Sequence, residues 1–402
     1  VEGAPGITSD EEYINFVANK IGCSSKNILV ASTGVIGKQL DYKKINTLVP
    51  KLLQKSKKKC CSWNSFCASI MTTDTVHKFA SKKIKFGKET VFISGIAKGS
   101  GMIHPNMGTL LAFIFTDANI PKNIINKILL DGIQHSFNSI TIDGDTSTND
   151  SVFFTATCKK KNVSINSFNN YKYKKFVKQF NNLLLDLAKQ IVKDGEGAKK
   201  IIKISVKNAK TYLIAKNIAL SVANSLLVKT LFNSNELNFG RIFMAIGKSN
   251  EIIDQEKISF SLGNHLLAKN GELLIKNNAN KIKKLMNKKE LSLEINLNNG
   301  KSQSTVYTCD LTNEYIKIKS GEKPAVISGV RKKESARRTI KAKEYIFKQE
   351  KSLFVSPLFY KSNNWVMRYY IENDIKRSPV YDTLHISGDC LCGCFAGKSE
   401  LK

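Results

Sequence analysis

Acidic residues are scarce in this chain. Only 33 aspartates and glutamates stand against 63 lysines and arginines in 402 residues, leaving a formal net charge of +30. An imbalance of that size raises the question of a nucleic acid or another anionic partner. The lysines, however, are spread out in Lys-Asn-rich faces such as 277–289, without clustering or interleaved aromatics. They read as a solvated surface, so no specific nucleic-acid partner is expected. Long apolar runs are missing as well: no stretch of 18 apolar residues exists, and no membrane helix is expected. The opening Val1-Glu-Gly-Ala-Pro-Gly6 lacks the basic and apolar stretches of a secretory signal. It also lacks an initiator methionine, which suggests a start inside a longer gene product. The nine cysteines lack the regular spacing of a secreted disulfide scaffold, so a reduced, cytoplasmic setting is expected. No internal repeat and no long Pro/Ser linker interrupts the chain.

What is present is a mixture of helical and strand periodicities. Residues 11–22, 42–55, 121–136 and 170–193 carry apolar residues at helical spacing. Short apolar runs predict strands at 28–31, 91–96 and 139–143, and alternation predicts half-exposed strands at 201–206 and 291–297. The mixture implies an α/β or α+β layered domain.

One segment draws attention to chemistry. Lys98-Gly-Ser-Gly-Met-Ile-His-Pro-Asn-Met-Gly-Thr109 runs straight into the apolar stretch 110–115. A threonine made N-terminal by chain cleavage carries an α-amine beside its own hydroxyl, and the amine can act as its general base. Spacing alone is a weak signal, because a threonine after glycine is more often a turn or cap residue. In isolation Lys98 is equally a surface lysine and Glu196 a residue of a helix-end turn. The loop Asp143-Gly-Asp-Thr-Ser-Thr-Asn-Asp150 is oxygen-rich but lacks the calcium-loop pattern, and reads as a hydrogen-bonded structural loop. His77 and His104 read as structural.

Taken in order, several motifs resemble one family. They are Ser32-Thr-Gly-Val-Ile-Gly37, Met71-Thr-Thr-Asp-Thr75, the stretch 95–107, the loop 143–150, Asp194-Gly-Glu-Gly-Ala198, Asn238-Phe-Gly-Arg241 and Thr308-Cys-Asp-Leu-Thr312. Over about residues 7–318 they are similar to the ornithine acetyltransferase (glutamate N-acetyltransferase) family. The resemblance implies an autoprocessed acetyltransferase fold, two stacked β-sheets flanked by helices. It implies transfer of acetyl from N2-acetyl-L-ornithine to L-glutamate in arginine biosynthesis. No cofactor is required, and acetyl-CoA serves some members as donor. Self-cleavage would fall between Gly108 and Thr109, Thr109 would be the acetylated nucleophile, and the products would assemble as α2β2. Thr33 and Gly34 match the oxyanion motif, and Thr72, Lys98 and Glu196 match substrate-binding positions.

The chain departs from that pattern in three places. Gly108 stands where the family carries alanine. The family's first strands would precede residue 1. After Tyr315-Ile-Lys-Ile318 the family's asparagine and terminal Ser or Thr are replaced by Lys319-Ser320, which predicts impaired activity.

The texture changes near Lys319. Gly329-Val-Arg-Lys-Lys-Glu-Ser-Ala-Arg-Arg338 and the later stretches 355–358 and 387–394 resemble the C-terminal part of the PAPS reductase family. That resemblance divides the chain into 1–319 and a small α/β fragment at 320–402. It implies anion binding by Arg331, Arg337 and Arg338, whose guanidinium forks suit sulfate or phosphate. The nucleotide-cradling loop of that family has no counterpart upstream, so the chain reads as a fusion. Cys390, Cys392 and Cys394 lack a second ligand group and are weak metal candidates. Against the acetyltransferase stand two alternatives: sulfonucleotide reductase-like activity or nucleotide binding by the tail, and a non-enzymatic basic binding protein.

Overall fold

The protein was obtained as a computed structural model. It describes residues 3–35, 40–57, 62–105, 110–234, 236–274, 279–320, 325–327, 346–349, 352–355 and 363–372. Contacts gather the chain into two units, Val1–Ile316 and Lys317–Lys402.

The first unit opens with helix α1 (Gly3–Ile21), which starts well before the periodicity beginning at residue 11. The expected strand at 28–31 is instead irregular: Leu29 is 72% exposed and, among the described residues, no strand pairs with it. A strand is defined by a neighbour's hydrogen-bond ladder, which four apolar residues cannot announce. Helices α2 (Tyr42–Lys57) and α3 (Trp63–Ile70) follow, the latter capped by Ser62, whose hydroxyl accepts from Ser65 N.

The hairpin β1 (Lys78–Phe86) and β2 (Glu89–Lys98) turns at Gly87, whose φ of +62° favours glycine. Strand β3 (Leu111–Asn119) adds antiparallel to β2. After helix α4 (Lys122–Gln134), strand β4 (Ser151–Ser164) adds parallel to β3, completing a sheet of order β1-β2-β3-β4. Helix α5 (Tyr171–Lys193) lies on β1 and β2 and buries Phe176, Phe180, Leu183, Leu187 and Ile191. Those positions recur at three- and four-residue intervals, so one stripe faces the sheet. The run 139–143, expected as a strand, makes only one isolated bridge, from Ile140 to Tyr307. Beyond it the Asp143 carboxylate accepts from the loop amides of Met102 and Ile103.

A second sheet begins with β5 (Ile201–Ala209) and is backed by α6 (Tyr212–Asn224). Helices α7 (Leu226–Asn233) and α8 (Gly240–Gly247) precede the short strands β6 (Ser259–Leu262), β7 (His265–Lys269) and β8 (Glu272–Leu273). After α9 (Ala279–Met286) come β9 (Glu290–Asn296) and β10 (Ser302–Cys309), and the sheet runs β10-β5-β9-β6-β7-β8. β5 sits between two strands and is mostly buried on both faces, not half-exposed as its sequence predicts. Helix α10 (Asn313–Lys319) follows β10. The architecture is a mixed α/β fold with two sheets flanked by helices.

In the second unit, β11 (Ala325–Ile327) pairs parallel to β13 (Ser352–Val355), and β12 (Ile346–Gln349) pairs antiparallel to it. Helix α11 (Asn363–Glu372) follows among the described residues.

Candidate active site

Lys98 ends β2, where Ile96, Ala97 and Lys98 are all buried. Its ammonium lies 3.4 Å from Thr33 Oγ1 and 3.4 Å from Thr72 Oγ1. Residues separated by 65 and 26 positions of sequence therefore meet at one charge. Burial pushes the Lys98 pKa down, while Asp74 and Asp150 pull it back toward the charged form. Gly34 follows Thr33 on the same segment and is exposed.

The loop carrying Thr72 is held by a buried ion triad. Lys78 Nζ lies 2.6 Å from both Asp74 Oδ1 and Asp194 Oδ2, and the three side chains are almost wholly removed from solvent. Asp74 Oδ1 also accepts from Gly99 N at 2.7 Å, and Asp74 Oδ2 accepts from Thr72 N at 3.2 Å. Asp194 accepts from Thr75 N at 2.9 Å and from the Thr75 hydroxyl. Burial alone would push the Asp74 carboxyl up. Lys78 and the Gly99 and Thr72 amides outweigh it and hold the group below the ordinary carboxylate range. A charged triad this deep keeps its place only because every member is paired. Asp74 and Asp194 stand inside motifs visible in the sequence, but Lys78 does not. One more lysine in so basic a chain carries no signal until its partners are seen.

Glu196 follows Asp194 by two residues and is 8% exposed. Its amide donates to Ser100 O at 2.7 Å, and Ser100 shares a 2.7 Å hydroxyl bond with Thr73. A Cβ at Gly101 would sit 2.2 Å from Glu196 Oε2, so only glycine lets the carboxylate lie against this loop.

The loop 143–150 clamps the segment after Gly101 at both ends. Asp143 accepts from Met102 N at 2.6 Å and Ile103 N at 3.0 Å, while Asp150 Oδ1 accepts from Leu110 N at 2.5 Å. Asn149 Nδ2 reaches back to Ser32 O at 3.2 Å. The Asp143 and Asp150 carboxylates thus accept from backbone amides, and Asp143 also accepts from the Tyr315 hydroxyl at 3.4 Å. Among the described residues no group of three or more His, Cys, Asp or Glu is arranged to hold a metal. Burial pushes the Asp150 carboxyl up to about 7, against the Leu110 amide and Lys98, which both favour the anion. Asp150 was not singled out from sequence, where it is one acid of three in a polar loop. His104 is half-buried beside Asn224 Nδ2 at 3.3 Å, and burial holds it toward the neutral form.

Beside Thr33 and Thr72 opens a cavity of about 370 Å³, bounded by α1, the segment 30–33, α2, the end of α3 and Leu111 of β3. Gly108 and Thr109 lie outside the described residues, immediately before Leu110. Arg331, Arg337, Arg338, Cys390, Cys392 and Cys394 lie outside them too. No helix among the described residues is long and apolar enough to cross a membrane.

A mixed α/β fold in which a buried lysine meets two threonine hydroxyls, with a buried glutamate on a loop tied to theirs through Lys78, has the make-up of an enzyme site. A buried ammonium between two hydroxyls is a group that can oppose developing negative charge. The ArgJ family model matches residues 1–321. The arginine biosynthesis bifunctional protein ArgJ of Bradyrhizobium diazoefficiens is 39% identical over 319 residues, covering 79% of this chain and 77% of that protein. Its counterpart in Bartonella henselae is 40% identical over 316 residues, with 79% and 77% covered. The crystal structure of ArgJ from Bacillus halodurans superposes with a TM-score of 0.50 at 34% identity, covering 52% of this chain and 98% of that one. The chain belongs to the ArgJ family and is an enzyme of that family. The resemblance of residues 320–402 to PAPS reductases finds no support in these matches.

Proposed function

We propose that this chain moves an acetyl group from N2-acetyl-L-ornithine to L-glutamate, a step of arginine biosynthesis, through an acetyl-threonine on Thr109. The observation that carries the reading is the buried Lys98 ammonium shared by the Thr33 and Thr72 hydroxyls, 3.4 Å from each.

Water first hydrolyses the peptide bond between Gly108 and Thr109, leaving a carboxylate on Gly108 and freeing the Thr109 α-amine. That amine takes the proton of the Thr109 hydroxyl as the oxygen attacks the acetyl carbonyl carbon. The negative charge that develops on the carbonyl oxygen is met by the Thr33 hydroxyl and the Gly34 amide, with the Lys98 charge behind them. The carbon–nitrogen bond then breaks, and ornithine leaves with the proton returned to its nitrogen. Glutamate enters, its amine attacks the ester carbon, the carbon–oxygen bond to Thr109 breaks, and the proton shed by the amine nitrogen regenerates the Thr109 hydroxyl. Thr72 and Glu196 hold the amino-acid portion, and Glu196 is suited to an ammonium by its charge. Because threonine itself carries the acetyl group, the transfer needs no cofactor. Acetyl-CoA is proposed as a second donor, an α2β2 assembly as the working form and the cytoplasm as its compartment.

Intact mass of the purified protein, beside Thr109→Ala, tests the first step. Two fragments meeting between Gly108 and Thr109, lost in the variant, are expected. An uncleaved wild-type chain that forms no N-acetylglutamate from N2-acetylornithine and glutamate would overturn the reading.

A further inference from the structure

We propose that the cavity beside Thr33 and Thr72 receives the acyl chain of the donor, and that it accepts linear acyl groups longer than acetyl, from butanoyl to hexanoyl. This rests on the acyl-transfer reading above and extends it to the class of donor.

The first support is size. The cavity measures about 370 Å³. A water molecule's share of the liquid is about 30 Å³, and a methyl group is of similar bulk. An acetyl methyl would leave most of the space unfilled, whereas a chain of several carbons fits within it.

The second is chemistry. Val30, Ala31, Leu40, Ile45, Ile70 and Leu111 supply an apolar wall. The hydroxyls of Ser32, Thr33, Ser69 and Thr72 add polarity, but no side chain among the described lining residues carries a charge. Among the described lining residues the ammonium and carboxylate of an amino acid find no opposite charge, which is costly. The charged groups of the site, Lys98, Asp74 and Glu196, are not part of this lining. The amino-acid half of the donor therefore stays with the charges, and the acyl tail is the half the cavity suits.

The third is placement. Thr33 both lines the cavity and lies 3.4 Å from Lys98 Nζ, so it stands where the two halves of an acylated amine would part. Leu111, on the same wall, follows the proposed nucleophile Thr109 by two residues. Each methylene buried against such a wall strengthens binding by about fourfold, if it displaces water without strain.

The test is a donor series of N2-acetyl-, N2-propionyl-, N2-butanoyl- and N2-hexanoyl-ornithine, with glutamate as acceptor and the full chain as enzyme. The expected result is kcat/KM for the butanoyl and hexanoyl donors no lower than about a tenth of that for acetyl, and rising with each methylene that fits without strain. Ile45→Trp and Ala31→Phe, each filling the wall from a different segment, should lower the hexanoyl-to-acetyl ratio at least tenfold. Acetyl transfer in each variant reports that it has folded. A wild type that transfers acetyl but prefers it over butanoyl more than a hundredfold would overturn this inference alone. An unchanged ratio in both folded variants would do the same. A wild type that transfers no acyl group would overturn the parent reading with it.

Discussion

Gly99 donates its amide hydrogen to Asp74 at 2.7 Å, across 25 residues of sequence. The bond matters because Gly99 follows Lys98, while Asp74 follows Thr72 by two residues and accepts from its amide as well. A single carboxylate thus fixes the backbone on both sides of the contact between Lys98 and Thr72. Lys78 then ties Asp74 to Asp194, and so to the loop that carries Glu196.

Lys78→Met should destabilise the first unit by about 3–5 kcal/mol, since it leaves two carboxylates buried and facing each other. Urea denaturation of variant and wild type measures the difference. The pH dependence has a definite sign. The folded Asp74 pKa lies below its unfolded value, so its pairing stabilises the fold above about pH 4. That contribution is lost as pH falls through the folded pKa. In the variant the acid-side loss attributable to this pairing should disappear; an unaltered acid limb would show that the triad does not set it.

Lys98→Met should lower kcat for acetyl transfer by about 10²–10³, the range seen when a preorganised oxyanion donor is removed. Lys98→Arg should not restore it, because a planar fork cannot replace a point charge between two hydroxyls. Steady-state kinetics on both variants decides. Near-wild-type turnover in either would remove Lys98 from the chemistry.

Asp150→Asn should flatten the pH profile around neutrality. Asp150 titrates near 7 in the fold and near 4 in the unfolded chain. Between those values the native state holds a proton that the unfolded state has lost. Stability from this group therefore declines as pH rises from about 4 to about 7, and is level above. Its ionisation also places an anion where it favours protonated Lys98. The asparagine keeps an oxygen for Leu110 N but cannot titrate. Both kcat/KM and thermal stability, measured from pH 5 to pH 9, should lose a step that the wild type displays.

Gly101→Ala should raise KM for glutamate with a smaller change in kcat. The added methyl would sit 2.2 Å from Glu196 Oε2, so the carboxylate must move. Isothermal titration of glutamate into the acetylation-blocked Thr109→Ala background, with and without the alanine, isolates the binding effect. Equal affinities would show that Glu196 does not meet the acceptor.

Long periodic segments were legible from composition of the local chain. The helix at 170–193 buries one continuous stripe, and its pattern is set by local spacing that no neighbour can shift. The motifs around Thr33, Thr72, Lys98 and Glu196 were legible through family resemblance, and the structure brings Thr33, Thr72 and Lys98 into mutual reach. The runs 28–31 and 139–143 were misread, because a short apolar run becomes a strand only when another strand is present to pair with it. Lys78 and Asp150 were passed over for a related reason. Their significance lies in distant partners: Asp194 is 116 residues from Lys78, and Leu110 is 40 from Asp150.

Sequence by itself determined the family, the helices near 42–55, 121–136 and 170–193, and which residue types were available for acyl transfer. Tertiary structure decided the electrostatics. Burial lowers Lys98, raises Asp150 and makes the Lys78 triad depend on complete pairing, because removing charges from water strengthens every remaining interaction between them. It also decided the shape beside Thr33, where α1, α2, α3 and β3 leave a space that no one of those segments encodes.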